Sequence, residues 1–381
     1  MINQLIESIS PFIVMEVLEK ASEMESRGVH IIHLEVGEPD FDIPSKIIET
    51  SDTAIRAGHT HYTHSLGDME LRRSIAKHYR VNYNVSVNPG NVIVTSGSSP
   101  ALLLVLGALI EPDDEVIISN PGYACYANFI KFVHGKAIEI PVYAENGFQY
   151  SPEKIAEKIT DRTKAIFINS PMNPTGNLLE KKVIQEIANL GPLVVSDEIY
   201  HGLVYNNHPH SILEFTNNAV VVSGFSKAYA MTGLRLGYCI CPNELIRPIQ
   251  KLQQNLFICA SSVAQKCGVT ALEDCDEDLL KMKNIYNERR LFMINRLKEL
   301  GFQIPVEPTG AFYVFVDCSH LSANSYELAF DILEKAHIGV TPGVDFGSNG
   351  EGFLRFSYAN SIENIKEGLD RLEQYLIKYH P

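Results

Sequence analysis

Two basic residues near the middle of the chain have the spacing of a reactive amine beside an anion-binding group. Residues 220–238 read VVVSGFSKAYAMTGLRLGY, in which Lys227 follows an apolar β-branched run and Arg235 comes eight positions later. A lysine just beyond a buried strand can lose its hydration and become nucleophilic. Arginine, with a hydroxyl such as that of Ser223 or Ser226, can bind a phosphate. An amine that condenses with an aldehyde, next to a phosphate clamp, indicates pyridoxal 5'-phosphate (PLP).

Short apolar runs that end in turn residues alternate with helical patterns upstream of this lysine. The strand candidates are NVIVTSG (91–97), DEVIISNPG (114–122), KAIFINSPMNPTG (164–176), PLVVSDEIY (192–200) and AVVVSGFSK (219–227). The runs are apolar throughout rather than alternating, which is typical of strands covered on both faces. Their alternation with helices predicts βαβ units and an α/β fold with a mostly parallel sheet.

The pattern changes in the last third of the chain. A charged helical stretch covers 276–300, and two strand-like runs, GAFYVFVD and GFLRFSYA, precede a terminal helix. We therefore predict a large domain over residues 41–275 and a smaller α+β domain over 276–381. The segment 1–40 contains a helical pattern and is predicted to pack with the smaller domain. A chain of 381 residues suits two such packed domains.

Composition argues against several classes of function. The net charge is −14, whereas a nucleic-acid surface or a polybasic membrane contact would need an excess of basic residues. The longest apolar run, LLLVLGALI at 102–110, is too short to span a bilayer, and MINQLIESIS lacks the pattern of a signal peptide. The seven cysteines are an odd number spread along the chain, which predicts a reducing cytoplasmic location rather than a disulfide framework.

The polar residues of the five runs fall at the carboxyl ends of the predicted strands, where open α/β sheets bind ligands. They include the stretch from Ser96 to Ser99, which contains Gly97, as well as Tyr123, Asn173, Asp197, Tyr200 and the stretch from Ser223 to Lys227. Parallel strands end at one edge of a sheet, so these residues are predicted to converge. That convergence indicates a site more strongly than any one motif does.

Each motif also has a purely structural interpretation. The turn in TSGSSPALL could bind phosphate at a helix start, or Ser98 or Ser99 could simply cap that helix. Asp197 could pair with a protonated pyridine nitrogen or cap a helix. Asn173, in NPTG, could present its amide to a ligand or only form a turn. Tyr123 could stack on a cofactor ring or be a core aromatic residue.

Three further segments leave similar alternatives. Arg355 lies inside the apolar run FLRFSYA, so it needs an anion, either an internal carboxylate or the carboxylate of a substrate. Tyr200 could reach the phenolic oxygen of the cofactor or pack in the core. The HTHYTH segment at 59–64 has no cysteine or carboxylate beside its histidines, so we interpret them as solvated and predict no metal site.

The ordered motifs resemble those of a known family. The matching pieces are GEPDF, YTHSLGDMELR, TSGSSPAL, NPGYACY, NSPMNPTG, SDEIY, GFSKAYAMTGLRLGY, PTGAFYVF and PGVDFG, and they span most of the chain. This sequence resembles the class I aminotransferases, fold-type I PLP enzymes of the aspartate aminotransferase superfamily. The resemblance implies a PLP-binding domain with a seven-stranded, mostly parallel sheet between helices, plus the smaller α+β domain.

The resemblance also implies a role for each matching residue. Lys227 would form the internal aldimine and move the proton between the substrate Cα and the cofactor. Asp197 would pair with the pyridine nitrogen, and Tyr200 and Asn173 would hydrogen-bond the phenolic oxygen. Tyr123 would stack on the ring, Gly97, Ser98, Ser99, Ser226 and Arg235 would surround the phosphate, and Arg355, Asn173 and the Gly37 backbone would bind the substrate carboxylate. Tyr62 would reach the phosphate of a neighbouring subunit, which implies a homodimer.

Two positions depart from the family pattern. Gly224 stands three residues before the lysine, where many members have a phosphate-binding serine, so Ser223 or Ser226 would have to substitute for it. Ser99 stands where some aspartate-specific relatives have a lysine for the distal carboxylate. This difference lowers the expectation of strict aspartate specificity.

Three functions can be compared on the basis of these residues. The leading hypothesis is an aminotransferase that moves the amino group of an L-amino acid to a 2-oxo acid by a ping-pong route. The alternative is a PLP-dependent C–S lyase or a cyclopropane-forming synthase, with nearly the same site residues. A PLP-binding regulator without turnover is disfavoured, because Lys227, Asp197 and Arg355 are all present and no room remains for a DNA-binding module.

Overall fold

The structure is a computed structural model that describes residues 3–380. Its strands are β1 Ile32–His33, β2 Val92–Thr95, β3 Glu115–Asn120, β4 Lys136–Pro141, β5 Thr163–Asn169, β6 Leu193–Asp197, β7 Ala219–Gly224, β8 Gly237–Ile240, β9 Tyr313–Asp317, β10 Ile338–Gly339, β11 Thr341–Pro342 and β12 Phe353–Ser357. Its helices are α1 Gln4–Glu7, α2 Ile13–Ser26, α3 Ser45–Arg56, α4 Met69–Tyr83, α5 Ser98–Leu109, α6 Cys125–Phe132, α7 Pro152–Lys158, α8 Lys181–Ala188, α9 Asn243–Leu256, α10 Ser262–Asp274, α11 Asp276–Glu299, α12 Ser325–Ala336 and α13 Ile362–Tyr379.

The large sheet has seven strands in the order β2-β8-β7-β6-β5-β3-β4. The pairs from β7 through β6, β5 and β3 to β4 are parallel, whereas β8 is antiparallel to both β2 and β7. All five predicted strands are present, and the mostly parallel α/β prediction is confirmed. The sheet also contains β4, whose sequence KAIEIP was not singled out, and β8.

The apolar strand sequences are explained by helices on both faces of this sheet. Successive side chains of a strand point to opposite faces, so a strand covered on both sides is apolar at every position. In β6, Val194 belongs to a hydrophobic cluster with residues of α4, α8 and α10, while its neighbour Val195 belongs to a cluster with residues of α5, α6 and α9. Both valines are fully buried.

A second, smaller sheet lies in the C-terminal part of the chain. It is antiparallel, with strand order β11-β12-β9, and it packs with α11, α12 and α13 in a separate hydrophobic cluster. The short strand β1 pairs in parallel with β10, so the chain just before the GEPDF motif lies beside this sheet. Within residues 3–380, no helix combines the length and the apolarity needed to cross a bilayer.

The topology brings the predicted site residues to one edge of the large sheet. Asn169 ends β5 and is in register with Asp197, which ends β6. The next strand, β7, ends at Gly224, three residues before Lys227, and α5 begins just after the end of β2. Ligands bind at such carboxyl edges in open α/β sheets, and a cavity lies at this edge.

Candidate active site

A cavity of about 480 Å³ lies between the carboxyl edge of the large sheet, the start of α2 and the strands β9 and β12. Most of the predicted site residues line it, namely Gly37, Ser98, Ser99, Tyr123, Asn173, Asp197, Tyr200, Ser226, Lys227, Arg235 and Arg355. Gly97 lies against the side chain of Arg235, which lines the cavity. Tyr62 does not line this cavity, and its side chain is 79% exposed. The predicted convergence is therefore present for residues that are far apart in the sequence.

Lys227 points its amine into the cavity. Its Nζ donates a 2.6 Å hydrogen bond to the carbonyl oxygen of Gly37. Burial lowers the pKa of Lys227 to about 8, and the nearby guanidinium groups of Arg355 and Arg235 act in the same direction. A lysine with this pKa has an appreciable neutral fraction near neutral pH, which is the form that attacks a carbonyl carbon.

Asp197 is the last residue of β6 and is buried in the wall of the cavity. Burial raises the pKa of its carboxyl group to about 6. The hydroxyl of Tyr126 donates to Oδ2 at 2.7 Å, and the backbone N–H of Ile199 donates to Oδ1 at 3.2 Å. The carboxylate therefore holds a turn rather than capping a helix, and it still faces the cavity.

The start of α5 forms one end of the cavity. Gly97 is the N-cap with φ +112°, and no side chain caps the helix, so the capping interpretation of Ser98 and Ser99 is wrong. A Cβ atom at Gly97 would lie 2.6 Å from Nη2 of Arg235. Glycine thus allows the guanidinium of Arg235 to approach the free N–H groups at the start of α5. The guanidinium and these N–H groups together form an anion-binding site, which we call the anion cradle.

The choice between the two serines near Lys227 is decided by where they point. Ser226 lines the cavity. The hydroxyl of Ser223 instead donates to the carbonyl oxygen of Glu198 at 3.3 Å, and Ser223 lines a separate small cavity on the other side of the strand end. Only Ser226 is therefore available to an anion bound at the start of α5.

Arg355 is 2% exposed and lines the same cavity. Its Nη1 donates to Oδ1 of Asn173 at 2.8 Å, and its Nη2 donates to the Glu35 carbonyl oxygen at 2.6 Å and to Thr341 Oγ1 at 3.1 Å. Each of these partners is neutral, so within the described residues Arg355 does not form the internal salt bridge that its sequence position allowed. The buried Nε has no hydrogen-bond partner within residues 3–380. Such a cation favours an incoming carboxylate.

Four tyrosines, Tyr123, Tyr126, Tyr200 and Tyr313, complete the cavity. Tyr123 is partly buried, packs against the hydrophobic core that includes α5 and α6, and lies edge-on to the ring of Tyr126. The hydroxyl groups of Tyr200 and Tyr313 lie 2.9 Å apart. A Cβ atom at Gly37 would lie 2.3 Å from the Tyr313 hydroxyl, so only glycine allows the chain to pass so close to it.

Sequence reasoning assigned no role to Tyr126 or Tyr313, although both lie in motifs that it quoted. Tyr126 is the second tyrosine of PGYACY, and Tyr313 is the tyrosine of GAFYVF. Their contacts join segments that are distant in sequence, so the residue type was visible but the partner was not. Phe12, which also lines the cavity, was given no role either.

The side chains in the cavity fit PLP. The cavity offers an amine at Lys227, a buried carboxylate at Asp197 and an anion cradle between Gly97 and Arg235. The glycine at position 97 leaves the close approach that a bound phosphate needs, because a Cβ there would collide with the guanidinium. The unpartnered Nε of Arg355 adds a second anion-binding position for a substrate.

Comparisons with known proteins agree with this chemistry. The family described as Aminotransferase class I and II matches residues 29–372. The (5-formylfuran-3-yl)methyl phosphate transaminase of Methanocaldococcus jannaschii is 40% identical and covers 99% of this chain and 100% of its own length. The aspartate aminotransferase of Pyrococcus horikoshii is 38% identical over 95% of this chain and 94% of its own length.

A solved structure of Thermus thermophilus aspartate aminotransferase with maleate superposes with a TM-score of 0.94, at 34% identity over 98% of this chain and 99% of that one. A Methanococcus jannaschii structure, described as similar in its active site to kynurenine aminotransferases, gives a TM-score of 0.92 at 39% identity, over 99% of this chain and 100% of that one. The chain therefore belongs to the class I and II aminotransferases, and it is a PLP-dependent transaminase of fold type I.

Proposed function

We propose that the cavity around Lys227 is the active site of this aminotransferase. Lys227 is the covalent attachment point for PLP and the proton carrier, Asp197 faces the pyridine nitrogen, and Arg355 binds the substrate α-carboxylate. Tyr200 and Asn173 hydrogen-bond the phenolic oxygen, and Tyr123 stacks on the ring. The phosphate is held by Gly97, Ser98, Ser99, Ser226 and Arg235.

One observation carries the proposal. The Lys227 amine, with its pKa lowered by burial to about 8, lies in one cavity with a buried carboxylate and a buried guanidinium that has only neutral partners. Three buried charged groups around an open cavity are not expected for structural reasons alone, because a buried charge destabilises the folded protein unless it is paired. A substrate carboxylate and a cationic ring would pair with them.

The residues then divide the work between binding and proton transfer. When bound, PLP supplies an electron sink that stabilises negative charge at the substrate Cα. Arg355 and Asn173 fix the carboxylate, so the Cα–H bond is held in one orientation. Lys227 Nζ would take the proton from Cα as a general base and return it to the cofactor carbon that is bonded to the transferred nitrogen. Asp197, when ionised, would keep the ring nitrogen of bound PLP protonated.

Transamination is favoured over elimination by the relatives. The similar proteins include an aspartate aminotransferase and a phosphate-bearing furan transaminase, and the alternative of a C–S lyase or cyclopropane-forming synthase is not favoured. The overall reaction is amino-group transfer from an L-amino acid to a 2-oxo acid. The two half-reactions use the same cavity in turn.

The assembly and the domain limits are part of the same proposal. A homodimer is supported by Tyr62, whose side chain is 79% exposed and outside its own cavity. The domain limits of 1–40, 41–275 and 276–381 are supported by the pairing of β1 with β10 and by the separate cores of the two sheets. A cytoplasmic location is supported by seven cysteines that all have free thiols.

The first test is an absorbance spectrum of the purified protein with PLP, before and after addition of single L-amino acids without an oxo acid. We expect a yellow protein whose band bleaches with release of one oxo acid per site. Release of ammonia would instead favour the lyase. A colourless protein that takes up no PLP would remove the basis of the proposal.

Replacement of the amine tests the assignment of Lys227. Lys227→Ala is expected to reduce the turnover rate by at least about 1,000-fold, because general acid–base catalysis alone raises reaction rates by about 100- to 10,000-fold. Circular dichroism should show that the fold is retained. Lys182→Ala is the control, since that side chain is 81% exposed. Full activity in Lys227→Ala would contradict the mechanism.

A further inference from the structure

A fully buried carboxylate lies beside the strand that carries Arg355, and the roles proposed above do not use it. The Glu35 side chain has an exposed fraction of 0%. His33 Nδ1 lies 2.6 Å from Oε1 of Glu35, whereas the buried Oε2 has no hydrogen-bond partner among the residues that the structure describes. A buried carboxylate destabilises a folded protein unless it is paired, so packing alone does not account for a glutamate here.

His33 is the cation that pairs with this carboxylate. Its other ring nitrogen, Nε2, lies 3.2 Å from Oε1 of Glu25 on α2, so both nitrogens face carboxylate oxygens. An ionised carboxylate only accepts hydrogen bonds, so both nitrogens carry a proton and the ring is an imidazolium. The hydrogen bond with Glu35 is the largest of the influences that raise the pKa of His33 to about 9, and burial acts against it.

Other ionisable groups near β1 have partners of their own. On α13, the side chains of Glu367 and Arg371 contact each other and His30. His337, just after α12, meets β1 through its carbonyl oxygen, which accepts a backbone N–H of that strand at 2.9 Å. The charge on His33 is therefore set by the two carboxylates that flank its ring.

The backbone of β10 leaves room for the Glu35 carboxylate. His33 and Gly339 are in register in the parallel pairing of β1 with β10. A Cβ atom at position 339 would collide with Oε2 of Glu35, so glycine is needed there. The carboxylate is thus held between the backbone of β10 and the imidazolium of His33.

The main chain of Glu35 contacts the guanidinium that is proposed to bind the substrate. Its carbonyl oxygen accepts from Arg355 Nη2 at 2.6 Å and from Thr341 Oγ1 at 3.1 Å. The preceding carbonyl, of Leu34, accepts from the N–H of Ser357 at 2.7 Å, two residues beyond Arg355. A displacement of Glu35 would therefore move a direct partner of the guanidinium.

We infer that His33 and Glu35 are positioning residues for Arg355. The ion pair between their side chains fixes the Glu35 carbonyl oxygen, and this oxygen aims the guanidinium at the carboxylate of the substrate. The inference rests on the role of Arg355 under the proposed function. Because every amino-acid and 2-oxo-acid substrate has that carboxylate, the pair affects all substrates alike and does not act on the phosphate end of the cofactor.

Glu35→Gln tests the inference by removing the charge while keeping the size of the side chain. For L-alanine, L-aspartate and L-phenylalanine, kcat/KM should fall by a common factor of about 10 or more, since misplacing a binding group by about 1 Å costs up to about 100-fold. The PLP affinity, from titration of the absorbance band, should stay within about twofold of wild type. His33→Gln removes the cation instead and should give the same result.

The control is Glu214→Gln. His210 and Glu214 form a similar pair at 2.9 Å, but neither residue lines the cavity. This variant should keep the wild-type kcat/KM. An unchanged kcat/KM in both Glu35→Gln and His33→Gln would overturn the inference if Arg355→Ala still raises KM. An unchanged KM in Arg355→Ala would remove the proposed clamp and the inference together. A parallel loss of PLP affinity would show a general loosening of the fold and would also contradict positioning.

A second measurement on the PLP-free protein tests the ion pair without activity. The folded protein holds the His33 proton more tightly than the unfolded chain, so the stability from this pair is complete below about pH 6.5 and is lost as pH rises through about 9. The difference in unfolding free energy between wild type and Glu35→Gln, measured with urea, should therefore change between pH 7 and pH 10. A difference that is independent of pH would contradict an ionised His33–Glu35 pair.

Discussion

The Tyr126 hydroxyl donates a 2.7 Å hydrogen bond to Oδ2 of Asp197, and this bond joins two segments 71 residues apart. Burial raises the pKa of Asp197 to about 6, and the bond from Tyr126 acts in the opposite direction. The pair thus keeps a buried carboxylate available as an anion near neutral pH. The ionised carboxylate lowers the stability of the folded protein but is proposed to serve catalysis, which leads to two predictions.

Asp197→Asn should stabilise the PLP-free protein while lowering turnover. Between pH 3.8 and about 6 the folded protein binds a proton that the unfolded chain releases, so the stability contributed by this group falls as pH rises through that window and stays low above it. The variant should therefore gain about 3 kcal/mol at pH 8 and little at pH 3.5. Urea unfolding at both pH values measures this gain. The rate should fall by about 100-fold or more.

The control for this variant is Asp52→Asn, because the Asp52 side chain is 59% exposed. It should change neither the turnover nor the pH dependence of stability by a comparable amount. An Asp197→Asn gain that is equal at the two pH values would mean that ionisation is not its cause.

Tyr126→Phe should shift to higher pH the range over which the stability of the protein falls. The lost hydroxyl is the largest of the groups that lower the pKa of Asp197, so its removal raises that pKa above about 6. Unfolding free energies of the PLP-free protein at pH 5, 6, 7 and 8 would show stability still falling with pH beyond 6. Tyr143→Phe, in an exposed side chain outside the cavity, is the comparison variant. If that pH range does not shift, the hydrogen bond from Tyr126 does not determine the pKa of Asp197.

Arg355→Ala should raise KM for amino acids and also reduce kcat. The guanidinium is proposed both to bind the carboxylate and to orient Cα, and loss of binding and of orientation affects the two parameters together. Charge-assisted hydrogen bonds contribute about 1.5–3 kcal/mol each, so kcat/KM should fall by about 100-fold or more. Steady-state kinetics measure both parameters. Arg56→Ala, with a side chain 78% exposed, should behave as wild type, and an unchanged KM in Arg355→Ala would exclude the clamp.

Gly97→Ala should weaken PLP binding. The new Cβ would lie 2.6 Å from Arg235 Nη2 and would push the guanidinium away from the start of α5. An alanine at φ +112° also destabilises the folded protein by about 1–3 kcal/mol through backbone strain. Gly58→Ala separates the two effects, because Gly58 also has a positive φ but nothing lies within 4 Å of its Cβ position. Equal PLP affinities in the two variants, measured by titration of the absorbance band, would contradict the cradle.

Mixing subunits tests whether Tyr62 acts in the neighbouring site. A Lys227→Ala subunit paired with a Tyr62→Ala subunit contains one site with both changes and one site with neither, provided that Tyr62 reaches across the dimer. Such hybrids should recover activity that the two parent variants lack. If Tyr62 served its own subunit, each site in the hybrid would carry one change and no activity would return.

Much of the fold was predictable because its causes are local. Strands covered on both faces must be apolar at each position, so β2, β3, β5, β6 and β7 were recognised from their composition and their turn residues. β4 was not recognised, since its sequence KAIEIP carries charged residues at two of its six positions and only one of the six is fully buried. A strand of this composition lacks the continuous apolar run that identified the other five.

The sequence by itself determined the residue types that could do the chemistry and the order of the elements that carry them, because motifs and strand patterns are properties of neighbouring residues. Only the tertiary structure decided which of them meet. It selected Ser226 over Ser223, gave Arg355 neutral partners instead of a carboxylate, and placed Tyr126 against Asp197. These outcomes depend on contacts between residues 14 to 320 positions apart, and the packing of strands and helices brings such residues together.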